Sequence, residues 1–332
     1  MKQNIFEFAK AMILYLFTLV LLFLSSACSH KNFEQEIEVF PKEKLLSAHK
    51  IWMDDVLSPD FMLLKDSNLL ISNASNEHML YQYNVPSFDL IEKSGYKGLG
   101  KNEFQIFPMF CHSMSDDVYI WGYTPYTIKK FTFENDRKLT FSGKNYKLKH
   151  YDSFNQMHIV KDSFLIYNAI PSELAIKKIN LITNQECGRI AFKTDRHGNS
   201  FFYQNRGIVA VNDSIIIYAY LYKKQIDLYR VNDLTLYKRL VGEGKARIVI
   251  GDFDNNTNYY VALIAGKQYF YALCEGENNQ VSRLEVFDYE GHSIIEYAFD
   301  IVPYLFEIDE EKGILYGYNS DYEDYFLKYD LH

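Results

Sequence analysis

Four cysteines in 332 residues, none in a CxxC pair, leave no dense disulfide framework and no cysteine-based zinc site. Nine histidines are scattered without an HxH or HExxH pair, and no GxSxG segment occurs. The local signatures of zinc and serine hydrolases are therefore missing. Seven prolines and sixteen glycines are too few for a disordered or collagen-like chain. No basic run interrupts a chain of net charge −8, so nucleic acid is not expected as a partner. Only one long apolar run is present, residues 11–24, and at 14 residues it is too short for a typical bilayer span. What the chain does have is aromatic side chains, 28 Tyr and 25 Phe, which suit pleated, half-buried surfaces and favour strands.

The apolar run belongs to an N-terminal targeting signal. Lys2 and Lys10 make the segment before it positive, and Ser25, Ser26 and Ala27 follow it directly before Cys28. This order resembles a bacterial lipobox, whose cysteine is lipidated and becomes the first mature residue. The usual Leu three positions before the cysteine is replaced by Ser25, with Leu24 one position further back. Residues 1–27 are therefore expected to be a lipoprotein signal peptide, Cys28 the lipidation site, and residues 28–36 a polar tether. The protein is expected at the bacterial cell envelope, lipid-anchored, at the outer membrane. Cys111, Cys187 and Cys274 each lie in or beside a strand-like run and are expected to be buried and unpaired.

The body of the chain repeats. β-rich runs break at Asp66-Ser67, Asp116-Asp117, Asp162-Ser163, Asp213-Ser214, Gly266-Lys267 and Glu311-Lys312, at spacings of 50, 46, 51, 53 and 45. Second turns follow at Pro86-Ser87, residues 134–136, Thr183-Asn184, Asn232-Asp233 and Glu290-Gly291, all rich in turn formers. Four antiparallel strands per period predict an all-β fold, a six-bladed β-propeller over residues 37–332. The sixth unit ends at His332 after three strands, and residues 37–40 (IEVF) are predicted to supply its outer strand and close an exposed edge.

Two glycine-rich segments, around Gly98-Leu99-Gly100-Lys101 and Gly242-Glu243-Gly244-Lys245, lack the upstream glycine and the hydroxyl of a phosphate loop. They lie about three repeats apart and read as equivalent turns. The first continues to Glu103-Phe104, and a GxGxxEF segment of this kind, beside six repeats and a lipoprotein signal, resembles the TolB-like six-bladed propeller lipoproteins. Gly98, Gly100, Glu103 and Phe104 match that pattern, while Lys101 and Asn102 replace its Pro and Gly. The resemblance implies a cell-envelope scaffold protein over roughly residues 45–332, and it carries no catalytic residues.

Asp252, Asp254 and Asn256 copy the first three ligands of a calcium loop, but Thr257 and Leu263 stand where Gly and the bidentate Glu are needed. They make a weak metal candidate, and an inter-blade loop is the plainer reading. Asp321, Glu323 and Asp324 among Tyr322 and Tyr325 read as a solvated loop, and Asp213-Ser214-Ile215, an O-glycosylation-like sequence, as a hairpin turn. His112 and His158 lie near the axis-side strands and read first as satisfied strand histidines. No cofactor is expected. The function expected is a non-enzymatic binding or scaffold module for a protein, peptide or glycan. The alternative is a metal-dependent enzyme of the lyase or lactonase type, its site in the central channel. An enzyme predicts His and carboxylates converging at one mouth, a binding module an apolar or aromatic patch without them.

Overall fold

Short polar pairs between β-rich runs turn the chain back on itself six times in the computed structural model. It describes residues 33–53, 58–100, 103–123, 127–135, 137–149, 155–170, 173–192, 200–243, 256–276 and 282–332. Residues 1–33 form one unit and Glu34–His332 the other; the account below concerns the second. The signal segment, Cys28, Asp252 and Asp254 lie outside the described residues.

Three short strands come first: β1 (Glu34–Glu36), β2 (Glu43–Leu46) and β3 (His49–Trp52). Unit one follows with β4 (Phe61–Lys65), β5 (Asn68–Ser72), β6 (Leu80–Asn84) and β7 (Asp89–Ser94). Unit two has β8 (Met109–Ser113), β9 (Val118–Tyr123), β10 (Thr127–Phe133) and β11 (Leu139–Lys147). Unit three has β12 (Asn155–Val160), β13 (Phe164–Asn168), β14 (Ala175–Asn180) and β15 (Gln185–Ala191). After a short helix, Ser200–Asn205, unit four has β16 (Gly207–Val211), β17 (Ile215–Tyr220), β18 (Gln225–Arg230) and β19 (Leu236–Val241). Unit five has β20 (Tyr260–Ala265), β21 (Tyr269–Cys274), β22 (Arg283–Asp288) and β23 (Ser293–Phe299), and unit six β24 (Leu305–Asp309), β25 (Ile314–Tyr318) and β26 (Tyr325–Asp330).

Every unit is an antiparallel meander, and all six first turns and five second turns fall where their polar residues predict. Asp66 and Asp162 sit at φ 50° and 52°, the left-handed region that tight hairpins require and that Asp tolerates better than most residues. The fold is all-β, several sheets arranged in a propeller-like way. By hydrogen bonding the sheets number five, because β8 and β12 pair in parallel and join units two and three into one eight-stranded sheet. The first strands touch in succession from β4 through β8, β12, β16 and β20 to β24, and β24 meets β4 again.

Burial follows the same order. Six apolar clusters lie between successive units, the last joining Tyr316 and Phe326 of unit six to Leu69 and Tyr83 of unit one. Each fully buried Leu or Phe contributes about 1.5–3 kcal/mol, so the interfaces between units are where the fold gains its stability.

The N-terminal strands depart from expectation. Residues 37–40 are not a strand; His49–Trp52 pairs antiparallel with β26 and completes the sixth unit. Glu34–Glu36, assigned by sequence to the tether, instead lies parallel along the outer edge of unit four, and Glu43–Leu46 along that of unit five. One segment thus covers three consecutive outer edges, each of which would otherwise offer unpaired backbone groups to another chain. Leu46 is buried and joins the cluster between units five and six, while the alternation in IEVF reflects packing of Ile37 and Phe40 without strand pairing.

The cysteines also differ from expectation. Cys111 and Cys274 are buried thiols, but Cys187 is exposed on the outermost strand of unit three, where one face meets solvent.

Candidate functional site

The GxGxxEF segment is a built turn. The Glu103 carboxylate accepts from the Gly100 N–H at 2.7 Å, and Phe104 is fully buried, its backbone bonded to Tyr96 and Gly98. A Cβ at Gly98 would meet the end of the Glu103 side chain and displace the carboxylate that holds the turn, and no positive φ is involved. At Gly242 a Cβ would meet the Lys224 stem at 2.5 Å, again a packing reason. Asp213-Ser214 is the first turn of unit four. Asp321 lies within a single 3-10 turn, Ser320–Tyr322, capped by Asn319, and Asp321, Glu323 and Asp324 are exposed. Asn256, the described member of the calcium-like triplet, is buried.

The chemistry gathers elsewhere, at the first strands. A cavity of about 430 Å³ is lined by residues of all six units, from Gln156 at one depth to the turns at Asp66, Asp116, Gly266 and Glu311. The first strands of four units bring ionisable side chains to it. Lys65 comes from unit one, His112 from unit two, His158 from unit three and Glu307 from unit six. Units four and five present Val209, Ala210, Leu263 and Ile264. The parallel pairing of β8 and β12 sets His112 opposite His158, their ring centroids 5.5 Å apart.

Each polar group has a distinct environment. Lys65 is buried and its ammonium donates to Ser113 O at 2.5 Å, Ser115 O at 2.7 Å and Ser113 Oγ at 3.1 Å. Those three bonds use all of its donors and tie unit one to unit two. Burial lowers its pKa to about 8, against the pull of Glu307 and of Asp116, Asp117 and Asp66. Glu307 is buried too; burial raises its carboxyl to about 8, opposed by the Leu64 N–H and by Lys65. Its Oε1 lies 3.8 Å from His112 Nδ1, beyond a hydrogen bond.

The His112 side chain is 40% accessible where it borders the cavity, yet its depth in the protein and the Lys65 charge lower its pKa to about 4. His158 is 4% exposed. Burial lowers it to about 3, helped by His112 and opposed by a 3.2 Å bond between Nε2 and Val209 O. A carbonyl only accepts, so Nε2 carries the proton and Nδ1 is an acceptor that is sealed from solvent and has no hydrogen-bond partner among the described residues. Near neutral pH the cavity thus holds two neutral imidazoles, a largely protonated carboxyl and a charged but fully bonded lysine.

Sequence reasoning placed His112 and His158 near the axis but not together, and did not single out Lys65 or Glu307. The available signal was one ionisable residue shortly before four of the six polar turns, in strands that otherwise read as apolar. Among the described residues, no three His, Cys, Asp or Glu are arranged to hold a metal ion.

No family model matches the chain, and no curated protein is similar to it. Among solved structures it is similar to a protein described as exported from Bacteroides fragilis, at 13% identity and TM-score 0.55, over 90% of this chain and 98% of that one. A gluconolactonase from Xanthomonas campestris aligns at 10% identity and TM-score 0.46, over 86% and 90% of the two chains. A protein of unknown function from Bacteroides caccae aligns at 10% identity and TM-score 0.43, over 74% and 83%. The first likeness is one of fold.

Proposed function

We propose that the protein is a lipid-anchored, six-bladed β-propeller of the cell envelope, akin to the TolB-like lipoproteins, that binds a ligand in its axial cavity without transforming it. The cavity carries the reading. Its volume lies in the usual range of small-molecule sites, and it joins apolar residues on the first strands of units four and five to convergent polar groups from the other units. It suits a small molecule or the end of a peptide or glycan. Six meanders with first strands in cyclic contact and a core between each pair support six blades. The N-terminal signal ending at Cys28 supports export and lipidation, and the fold likeness to a protein described as exported agrees with it.

The second reading, an enzyme in the channel, is favoured by His112, His158 and Glu307 sharing one cavity. Its metal-dependent form lacks a ligand set among the described residues, and His112 and Glu307 are not in hydrogen-bond contact. Binding is therefore the better reading.

Two experiments test it. Cys28→Ser should move the protein from the membrane fraction to the soluble fraction, and unchanged retention would refute lipid anchoring. Native mass spectrometry against peptide and glycan pools should show one ligand per chain, lost on Met114→Trp, which enlarges a cavity-lining turn residue. A ligand retained by that variant would place binding elsewhere, and turnover of the ligand would favour the enzyme.

A further inference from the structure

We infer that the ligand of the axial cavity carries a primary ammonium group, seated on Glu307 and His112. The inference rests on the cavity being the binding seat. Its chemistry follows from which hydrogen-bonding capacity is already used. His112, whose ring is 40% accessible, is a neutral imidazole with one acceptor nitrogen, whereas the unpartnered Nδ1 of His158 behind it is sealed from solvent and takes no part. Glu307 accepts from a single backbone N–H, that of Leu64, although a carboxylate has about four acceptor sites. Lys65, the cation whose charge acts on Glu307, has all three donors committed to Ser113 and Ser115. The site therefore has acceptors to offer, and a matching ligand brings donors.

Charge points the same way. Asp66, Asp116, Glu307, Asp309, Glu310 and Glu311 line the cavity. Against them stand Lys65, Lys267 and Lys312, of which Lys312 pairs with Asp309 and Lys267 with Glu311. The surplus is acidic and lies at the mouth, around a buried carboxyl. An ammonium has three N–H donors and one positive charge, which fit one carboxylate and one neutral imidazole contributed by units six and two. A hydroxyl or amide supplies fewer donors and no charge.

The ammonium takes the place of the proton that burial keeps on Glu307, so binding below about pH 8 releases one proton. The groups facing Glu307 are Lys65 on β4, His112 on β8 and His158 on β12, with Asp309 and Glu310 following it in its own unit. Both imidazoles remain neutral above about pH 5, and Lys65 loses charge only near pH 8, so Glu307 governs the range between.

An amino sugar and the free amino end of a peptide share this chemistry. Calorimetry of the full protein in detergent, with glucosamine and alanyl-alanine beside their N-acetyl forms, tests the inference and separates the two sources. At least one free amine should bind, its N-acetyl form at least about tenfold more weakly, and affinity should rise about tenfold per pH unit from 6 towards 8. Glu307→Gln should remove that pH dependence and weaken the amine to the level of its N-acetyl form. Equal affinity for free and acetylated ligands, still abolished by Met114→Trp, would overturn the ammonium and leave the cavity reading standing. Binding that survives Met114→Trp would overturn both, and failure of both free amines to bind would overturn the ammonium alone.

Discussion

Asp227 and Glu307 are both buried carboxyl groups, and almost everything else about them differs. Asp227, in the third strand of unit four, is completely inaccessible and receives five hydrogen bonds. Tyr220 and Tyr229 donate from their hydroxyls at 3.0 and 3.1 Å, Gln225 at 2.9 Å, and Arg239 twice at 2.7 and 2.8 Å. Glu285, in the third strand of unit five, is held in a similar way by Tyr260 and Lys224 at 2.9 and 3.1 Å. Glu307, in the first strand of unit six, has a backbone N–H and a distant lysine. Carboxylates inside a unit are satisfied by their neighbours and hold the sheet together. The one at the axis is left with acceptors unused, which is costly to folding and useful only to a ligand.

Removing each group should separate these roles. Asp227→Ala leaves Tyr220 and Tyr229 hydroxyls buried without their acceptor and should destabilise by about 3–5 kcal/mol. Urea unfolding measures it, and a loss below about 1 kcal/mol would dissolve the contrast. An acid limb comes next. His158 is neutral in the folded protein with a pKa lowered to about 3, whereas the unfolded chain takes up a proton near 6.5. Stability should therefore be full above pH 6.5 and fall as pH drops towards 3, by about 2–4 kcal/mol from this residue. Thermal melts from pH 7 to 4 read it; His158→Gln should flatten that limb, and an unchanged limb would show that other groups set it. An effect of similar size and opposite direction in pH concerns Glu307. Its folded pKa is raised, so the ionised unfolded form gains on the protonated folded form as pH climbs from 4.5 to 8. Glu307→Gln should be nearly neutral at pH 5 and gain about 2–4 kcal/mol over the parent by pH 8. An equal loss at both pH values would show that Glu307 serves structure as Asp227 does.

The two histidines illustrate how much of the site could be read in advance. His112 and His158 stand 46 residues apart, a spacing that says nothing of ligand geometry and matches only the repeat. Their adjacency depends on β8 pairing with β12 edge to edge, which turns two units into one sheet. Lys65 and Glu307, 242 residues apart, interact because the sixth unit packs against the first. By contrast Glu103 and Gly98, five residues apart, form a turn whose structural character is visible in the motif itself.

The N-terminal segment makes the same point for the fold. Glu34 pairs with Arg239, Glu43 with Glu296 and His49 with Lys328, each more than 200 residues away. Residues 37–40 alternate as well as many strands do, and the pairing passes over them to segments with weaker patterns. A short strand at an outer edge is selected by the edge available to it more than by its own propensity.

Sequence by itself determined the all-β class, the six meanders and nearly every turn. Those depend on alternation and turn chemistry within about a dozen residues, which local sterics and side-chain polarity decide. Only the tertiary structure decided which edges the N-terminal strands cover, which cysteine faces solvent, and that one residue from each of four units lines a single cavity. Those outcomes come from closing contacts across hundreds of residues, where each strand's partner is chosen by the packing of the whole and no local pattern records it.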